Sequence, residues 1–310
     1  MGEWSKKVGE KGEEIVNYFF KDILGYNIVL SNENIDCING EKHKVAKSAK
    51  RTHGIDALIS RRSPLEDNLL DIGIISSKFT SKMYPNSPKG QFKEFITDLA
   101  HTIECFRYSK LYSEINQKFS NIDRTDITGI LVWASNKSPQ KETIIPKVAN
   151  SILDNDLVFD KIILIDNDRI TFFVETILNI KERFGEESVS FVYHNTNLNN
   201  VSLPAVSYGK FLPINYMFSD LIPIRVEKEN DVDFILFSKD DFSKDSFLRL
   251  LAFAKSFDHL DSAHRMIFSF PEYNELEDEP KIQSSLIDFE HYKLNENLFI
   301  KTHLSNFRNF

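Results

Sequence analysis

Two short apolar runs carry the residues with the clearest chemistry, His53-Gly-Ile-Asp56-Ala-Leu-Ile-Ser60 and Asp71-Ile-Gly-Ile-Ile-Ser76-Ser-Lys78-Phe79. Both read as strands, and the polar link between them, Ser63 to Asn68, has turn composition. If that link is a hairpin turn centred near residue 66, paired residues have numbers that sum to about 132. Asp56 then faces Ser76, and Lys78 lies two residues along on the same face, because strand side chains alternate with period two. A carboxylate, a hydroxyl and an ammonium converge on one spot. That arrangement suits a divalent metal held beside an anionic substrate.

The elements that must position these groups alternate along the chain. Residues 5–24 read as an amphipathic helix with Val8, Ile15, Val16, Phe19, Phe20, Ile23 and Leu24 on one broad apolar face. Glu13 falls at the edge of that face and Glu14 on the solvent side, while Gly9 and Gly12 permit close approach of the helix to a sheet. An acid at the rim of a buried face could reach over strand ends; helix N-terminal glutamates are also common simply because the macrodipole favours them. A strand at 26–30, a long polar loop at 31–52, the two strands above and a Pro/Gly-punctuated loop at 79–90 follow. A helix is expected from Gln91 to about Gln117, then a strand at 127–134, a helix around 140–153, a strand at 161–165, a helix at about 168–184 and a strand at 189–193. Beyond a turn-rich stretch at 194–213, a strand at 233–237, a helix at 243–257 and a strand at 265–270 repeat the alternation, which implies an α/β sandwich with parallel elements.

Composition narrows the function classes. The 310 residues suffice for one large or two average domains. There is no apolar run long enough for a membrane span, and the first residues lack a signal-peptide layout, so a cytoplasmic location is expected. Cys37 and Cys105 are too few for a disulfide scaffold or a cysteine metal cage, and Cys105 reads as plain packing. No P-loop, zinc-finger spacing or His-Glu-x-x-His pattern occurs, so neither ATP hydrolysis nor zinc chemistry is expected. His53 reads as a strand-start residue rather than a general base.

The net charge of −8 argues against a chain that coats nucleic acid over its whole surface. The charge is uneven, however. Residues 41–62 carry seven Lys or Arg against two acids, whereas residues 225–310 carry 11 against 17. Lys44, Lys47, Lys50 and Arg51, with Arg61 and Arg62, are therefore candidates to grip backbone phosphates without reading bases, the alternative being a solubilising loop. The 26 phenylalanines fit ordinary core or a docking surface. For docking, the segments 243–257 and Leu212-Pro-Ile-Asn-Tyr-Met-Phe218 are the expected exposed apolar patches.

Helix glutamate, loop, strand aspartate, hairpin, strand with x-x-Lys, then helix: this order over roughly residues 9–135 resembles the core of the PD-(D/E)XK nuclease superfamily. Glu13 matches the helix acid, Asp56 the motif aspartate and Lys78 the motif lysine. Through Ser76-Ser-Lys78-Phe-Thr80 and Asp98-Leu-Ala-His-Thr-Ile-Glu-Cys-Phe106, the chain also looks similar to the nuclease subunit of a two-gene bacterial anti-phage defence system of the GAPS type. The resemblance implies a restriction-endonuclease-like core, a mixed sheet flanked by helices, in residues 1–200. An α/β extension at 201–310 would then serve as a partner or oligomer interface. It further implies a Mg- or Mn-dependent endonuclease acting on nucleic acid, DNA favoured over RNA, with Asp56 and Glu13 as metal ligands, joined by the Ser77 carbonyl in one of the readings below. A homo-oligomer and a second protein subunit would gate it.

One departure bears on catalysis, since Ser76 stands where the family carries a second acid. Three readings are open. Ser76 holds a water of the cation's shell while the Ser77 carbonyl ligates directly, which magnesium tolerates. Alternatively the acid has migrated to the next helix, as Asp98 or Glu94. The third is loss of catalysis, leaving a nucleic-acid-binding or scaffold subunit that docks a partner.

Overall fold

In the computed structural model the apolar run Leu69–Ile75 becomes the first part of β3 (Leu69–Thr80), and all seven of its residues are buried. That is the signature of a strand covered on both faces. The structure describes residues 11–27, 30–44, 48–198, 206–229, 231–257, 263–289 and 297–303. Strand β3 is the centre of a five-stranded mixed sheet ordered β1-β2-β3-β4-β5, with β1 (Leu30–Asp36), β2 (Thr52–Arg62), β4 (Arg124–Ser135) and β5 (Lys161–Ile165). The first three strands run antiparallel to their neighbours and the last three parallel. From Ala57↔Ile75 to Arg62↔Leu70 the paired numbers sum to 132, as the turn position requires.

Helix α1 covers residues 11–18 and passes into a π-turn at Phe19–Ile23 that buries Phe19, Phe20 and Ile23. Helix α2 (Lys89–Phe106) makes the crossover from β3 towards β4, and its Ile96, Leu99, Ile103 and Phe106, at helical spacing, share a core with Leu70, Ile72, Ile74 and Leu131. Each such side chain contributes about 1.5–3 kcal/mol by leaving water. The expected single helix to Gln117 is two, because Ser109 caps a new start: its hydroxyl accepts from the Tyr112 amide at 3.1 Å, opening α3 (Lys110–Gln117).

Three local expectations are corrected. The polar stretch Leu30–Asp36, expected mostly as loop, is a strand; at a sheet edge only Ile35 needs burying, so apolar content is low. The helix expected around 140–153 shrinks to α4 (Ile145–Val148), which carries Pro146 in its first turn and ends where Ala149 turns extended. The helix expected at about 168–184 is present as α5 (Asn167–Phe173), a π-turn at Val174–Leu178 and α6 (Asn179–Phe184).

The chain divides into two compact units, residues 1–63 with 68–171, and residues 64–67 with 172–310. The boundary lies before the expected position near 200 because β6 (Val189–Val192) belongs to the second sheet, where it pairs with β8 (Leu221–Glu227) and β7 (Tyr208–Gly209). That sheet is ordered β11-β10-β9-β8-β6-β7, with β9 (Val232–Ser238), β10 (Arg265–Phe270) and β11 (Leu298–Thr302) mutually parallel. Helices α7 (Lys244–Ala254) and α8 (Glu275–Phe289) connect these parallel strands. The second core contains Phe234, Phe247, Phe268 and Phe270, so phenylalanine enrichment here is internal packing. Both segments expected to expose apolar patches are internal too. Helix α7 buries Phe247, Leu250, Leu251 and Ala254, and within 212–218 only Phe218 is an exposed large hydrophobic residue. Among the described residues no helix is long and apolar enough to cross a membrane.

Candidate active site

The sheet forks where the hairpin chemistry sits. Beyond Ala57↔Ile75, β2 continues pairing with β1 while β3 continues with β4. Parting strands leave backbone donors without a ladder partner, and such groups must be satisfied another way. Asp56 does so: its Oδ2 accepts from the Ser77 amide at 2.7 Å. The carboxylate is thereby fixed at the fork with its other oxygen uncommitted by this bond.

A cleft of about 570 Å³ opens at the fork, lined by Asp56, Glu13, Ser77, Lys78, Lys82 and the apolar side chains of Met83, Phe95 and Trp133 among others. Glu13 arrives on α1, half-buried as its place on the helix edge predicts, while Glu14 is exposed. Its approach depends on Gly12, where a Cβ would lie 3.0 Å from Phe79 Cβ and 3.1 Å from Ser77 Oγ. Gly9 lies outside the described residues. Glu13 is oriented by Asn32, whose amide donates to Oε2 at 3.1 Å. Asn32 lies between the Ser31↔Ala57 and Glu33↔Ile55 pairs of the β1–β2 register, at φ 57°. Sequence reading missed it; an asparagine, which tolerates left-handed backbone, in a polar edge segment was the available signal.

Lys78 packs its ammonium over the Phe95 ring, 5.4 Å from the centroid, and lies 4.0 Å from Asp98 Oδ2. Asp98 Oδ1 is held at 2.6 Å by Lys50, whose side chain is only 18% exposed. Burial would raise the Asp98 carboxyl, but the Lys50 hydrogen bond and the charges of Lys50 and Lys78 hold it below its ordinary value. Asp56 behaves in the opposite way. Burial pushes its carboxyl up, the Ser77 amide and Lys78 pull it down, and the charges of Glu13 and Asp98 push it up again, leaving it raised. Asp56, whose charge burial and then Glu13 disfavour, shares the cleft with the Glu13 carboxylate, and two such hard oxygen donors fit a divalent cation.

The remaining expected residues separate. Ser76 is half-buried and not on the cleft wall, whereas Ser77 is. Glu94 is exposed and outside the cleft lining. Lys44 is exposed and pairs with Glu41, Arg51 is exposed, and Lys47 lies outside the described residues. Arg61 and Arg62 stand five and six residues from Asp56 along β2, roughly 16–20 Å at strand rise, so the fold does not bring them to the cleft. Arg62 instead donates to the Ser120 carbonyl.

Searches of the curated proteins and of the solved structures each found no match. A family model, described as the GAPS4 protein PD-(D/E)XK nuclease domain, matches residues 1–169, more than half of the 310-residue chain. The matched span holds the forked mixed sheet, Glu13, Asp56 and Lys78. The chain therefore belongs to the GAPS4 PD-(D/E)XK nuclease family.

Proposed function

We propose that this protein is a divalent-cation-dependent endonuclease, with DNA its favoured substrate, acting in anti-phage defence. The observation that carries the reading is the convergence of Asp56, Glu13 and Lys78 on one cleft at the fork of the sheet. Asp56 and Glu13, with the Ser77 carbonyl, would hold Mg or Mn. A cation held there supplies Lewis-acid charge at a scissile phosphate. Asp56 stays in place through the Ser77 amide, and Asn32 keeps Glu13 turned toward the site. The Lys78 ammonium orients the attacking water and stabilises the negative charge that grows on the phosphorus oxygens. Lys82, exposed at the cleft, meets the backbone phosphate. The test is cleavage of circular DNA, linear DNA and tRNA with Mg or Mn and with a chelator. Cation-dependent cutting of DNA is expected. Binding without cutting under every condition would leave the scaffold reading, in which Ser76 marks a lost catalytic acid, and cutting of tRNA alone would reverse the substrate preference. A second subunit or a second copy of the chain would act as the gate; light scattering of a lone, fully active monomer would refute that.

Asp98 is read as a positioning residue for Lys78, since both its oxygens face lysines. Asp98→Asn is then expected to lower kcat by about tenfold or more, the scale of lost positioning, and to leave the half-saturating Mg concentration unchanged. Were Asp98 the migrated ligand, the variant would instead need far more Mg, as Glu13→Gln should. Nucleic-acid binding is expected to weaken steeply with salt. Lys44→Glu with Arg51→Glu should flatten that slope by about one to two units, roughly one for each phosphate that is no longer neutralised. An unchanged slope would reduce these two residues to solubilising charges.

A further inference from the structure

A second cluster lies on the same sheet, outside the cleft. Cys37 follows β1, His43 stands in the next loop, His53 lies on β2 three residues before Asp56, and Cys105 lies near the end of α2. One ligand atom from each comes within 4.8 Å of all the others, and all but Cys37 are buried. The separations are specific. Sγ of Cys37 and of Cys105 are 3.9 Å apart, His43 Nδ1 is 3.3 Å from Cys37 Sγ and 3.5 Å from Cys105 Sγ, and His43 Nδ1 is 3.3 Å from His53 Nε2. A tetrahedron with metal–sulfur bonds of about 2.3 Å and metal–nitrogen bonds of about 2.05 Å has edges of roughly 3.8, 3.6 and 3.3 Å for S···S, S···N and N···N. The four separations given each match to within about 0.3 Å, and the other two edges, from His53 to each sulfur, lie within 4.8 Å.

The surroundings orient the ligands. The Thr102 hydroxyl donates to the Asp98 carbonyl at 2.8 Å, so its oxygen is left to accept from His53 Nδ1 at 3.4 Å. His43 Nε2 meets Glu104 Oε2 at 3.3 Å, and Glu104 is itself held by Lys42 and Asn39. With those ring nitrogens as donors, His43 Nδ1 and His53 Nε2 turn bare lone pairs toward each other, and His43 Nδ1 also faces the two sulfurs. A hydroxyl or carboxylate fixing the far nitrogen of a ligating histidine is the usual outer arrangement at a metal. Both cysteines are free thiols, their sulfurs 3.9 Å apart rather than the roughly 2.05 Å of a disulfide.

We propose that Cys37, His43, His53 and Cys105 form a structural zinc site. Two thiolates and two imidazoles at tetrahedral spacing suit zinc, and four protein ligands leave no open position for catalysis. Zn²⁺ enters, each thiol gives its proton to solvent, and no electron moves. The ion ties the loop after β1 to β2 and α2, the two elements that carry Asp56 and Asp98. The ligand spacing resembles no zinc finger because the fold, rather than a local motif, gathers the four residues. Two cysteines are too few for a cage of thiolates alone, and the imidazoles complete the set.

The test uses the full chain, purified without chelator and analysed for metals. About one zinc per chain is expected in the wild type and in Asp56→Ala, and much less in Cys37→Ser. Since Cys105→Ser could fail to fold, the second measurement keeps the wild-type sequence. Stripping the metal should lower the melting temperature, zinc should restore it in full while magnesium adds only what it gives by filling the Asp56 cleft, and cobalt should give the strong visible absorption of a tetrahedral thiolate site. Wild-type protein without zinc that gives no cobalt spectrum would overturn the proposal. So would a Cys37–Cys105 disulfide in the non-reduced mass, or iron as the bound metal.

Discussion

Asp56→Asn is expected to abolish cleavage while leaving the protein as stable as the wild type at neutral pH, or more so. The isosteric amide keeps an oxygen to accept from the Ser77 amide, so the fork of the sheet retains its cap. What disappears is a negative charge that burial, then Glu13 and Asp98, disfavour. The sign follows from linkage. A carboxyl whose pKa is raised by folding contributes fully below its unfolded value, and that contribution is lost as pH rises through the window up to the folded value. At neutral pH the wild type has lost it, whereas the asparagine variant has nothing to lose. The melting-temperature advantage of the variant, measured in chelator, should therefore shrink as pH falls below the ordinary carboxylate range. Added Mg should stabilise the wild type and not the variant, since only the wild type gains by binding it. Activity should fall by at least about 10²–10³-fold, the scale of removing one electrostatic stabiliser, and Lys78→Ala should fall comparably. Near-wild-type cleavage by Asp56→Asn would remove this cleft from the mechanism. A large, pH-independent loss of stability would show that Asp56 is a structural residue.

The stability–activity opposition at Asp56 also explains which parts of the site were legible. The hairpin register depended only on the turn position and strand period, so Asp56 and Lys78 could be placed from the sequence alone. The same arithmetic put Asp56 opposite Ser76, and there it stops: the ladder ends one pair earlier, and Asp56 bonds to the Ser77 backbone instead. Where two strands part is decided by what packs on them, which no local pattern encodes. Glu13 was legible as the edge of an amphipathic helix, but its partner Asn32 lies in a polar edge strand that carries almost no apolar signal.

Charge was the least informative guide. Counting put Lys50 among phosphate-gripping residues, yet the fold turns it inward onto Asp98, and Lys42 is spent on Glu104. Arg61 and Arg62 are close to Asp56 in sequence and far from it along an extended strand. A charge cluster in sequence becomes a surface patch only if the backbone between its members bends, and β2 does not fold these ends together. The Cys/His cluster failed for the converse reason. Its four members are spread from 37 to 105, and only the packing of α2 against β2 assembles them.

Gly12→Ala is expected to cost much more activity than stability. The added methyl would stand 3.0 Å from Phe79 Cβ and 3.1 Å from Ser77 Oγ, closer than carbon atoms ordinarily pack. Phe79 Cβ is one bond from the backbone of β3 and cannot swing aside, so α1 must move by a few tenths of an ångström. Overpacking of this kind costs about 1–3 kcal/mol. Alanine recovers part of that, because it is more favourable than glycine in a helix by about 1 kcal/mol. The fold should therefore survive, with a modest fall in melting temperature. Glu13 is the next residue, however, and its carboxylate moves with the helix while Asp56 stays with the sheet. Misplacement of a positioned group by about 1 Å can cost 10²-fold in rate, so a loss of roughly 10–10²-fold is expected. Glu13→Gln should lose activity as well, and Glu14→Ala, on the exposed side of the same helix, should lose none. The comparison is made on folded protein, with circular dichroism and cleavage measured on the same samples. Full activity in both Gly12→Ala and Glu13→Gln would mean that α1 contributes packing to the cleft and no ligand, leaving Asp56 and Lys78 to define the site.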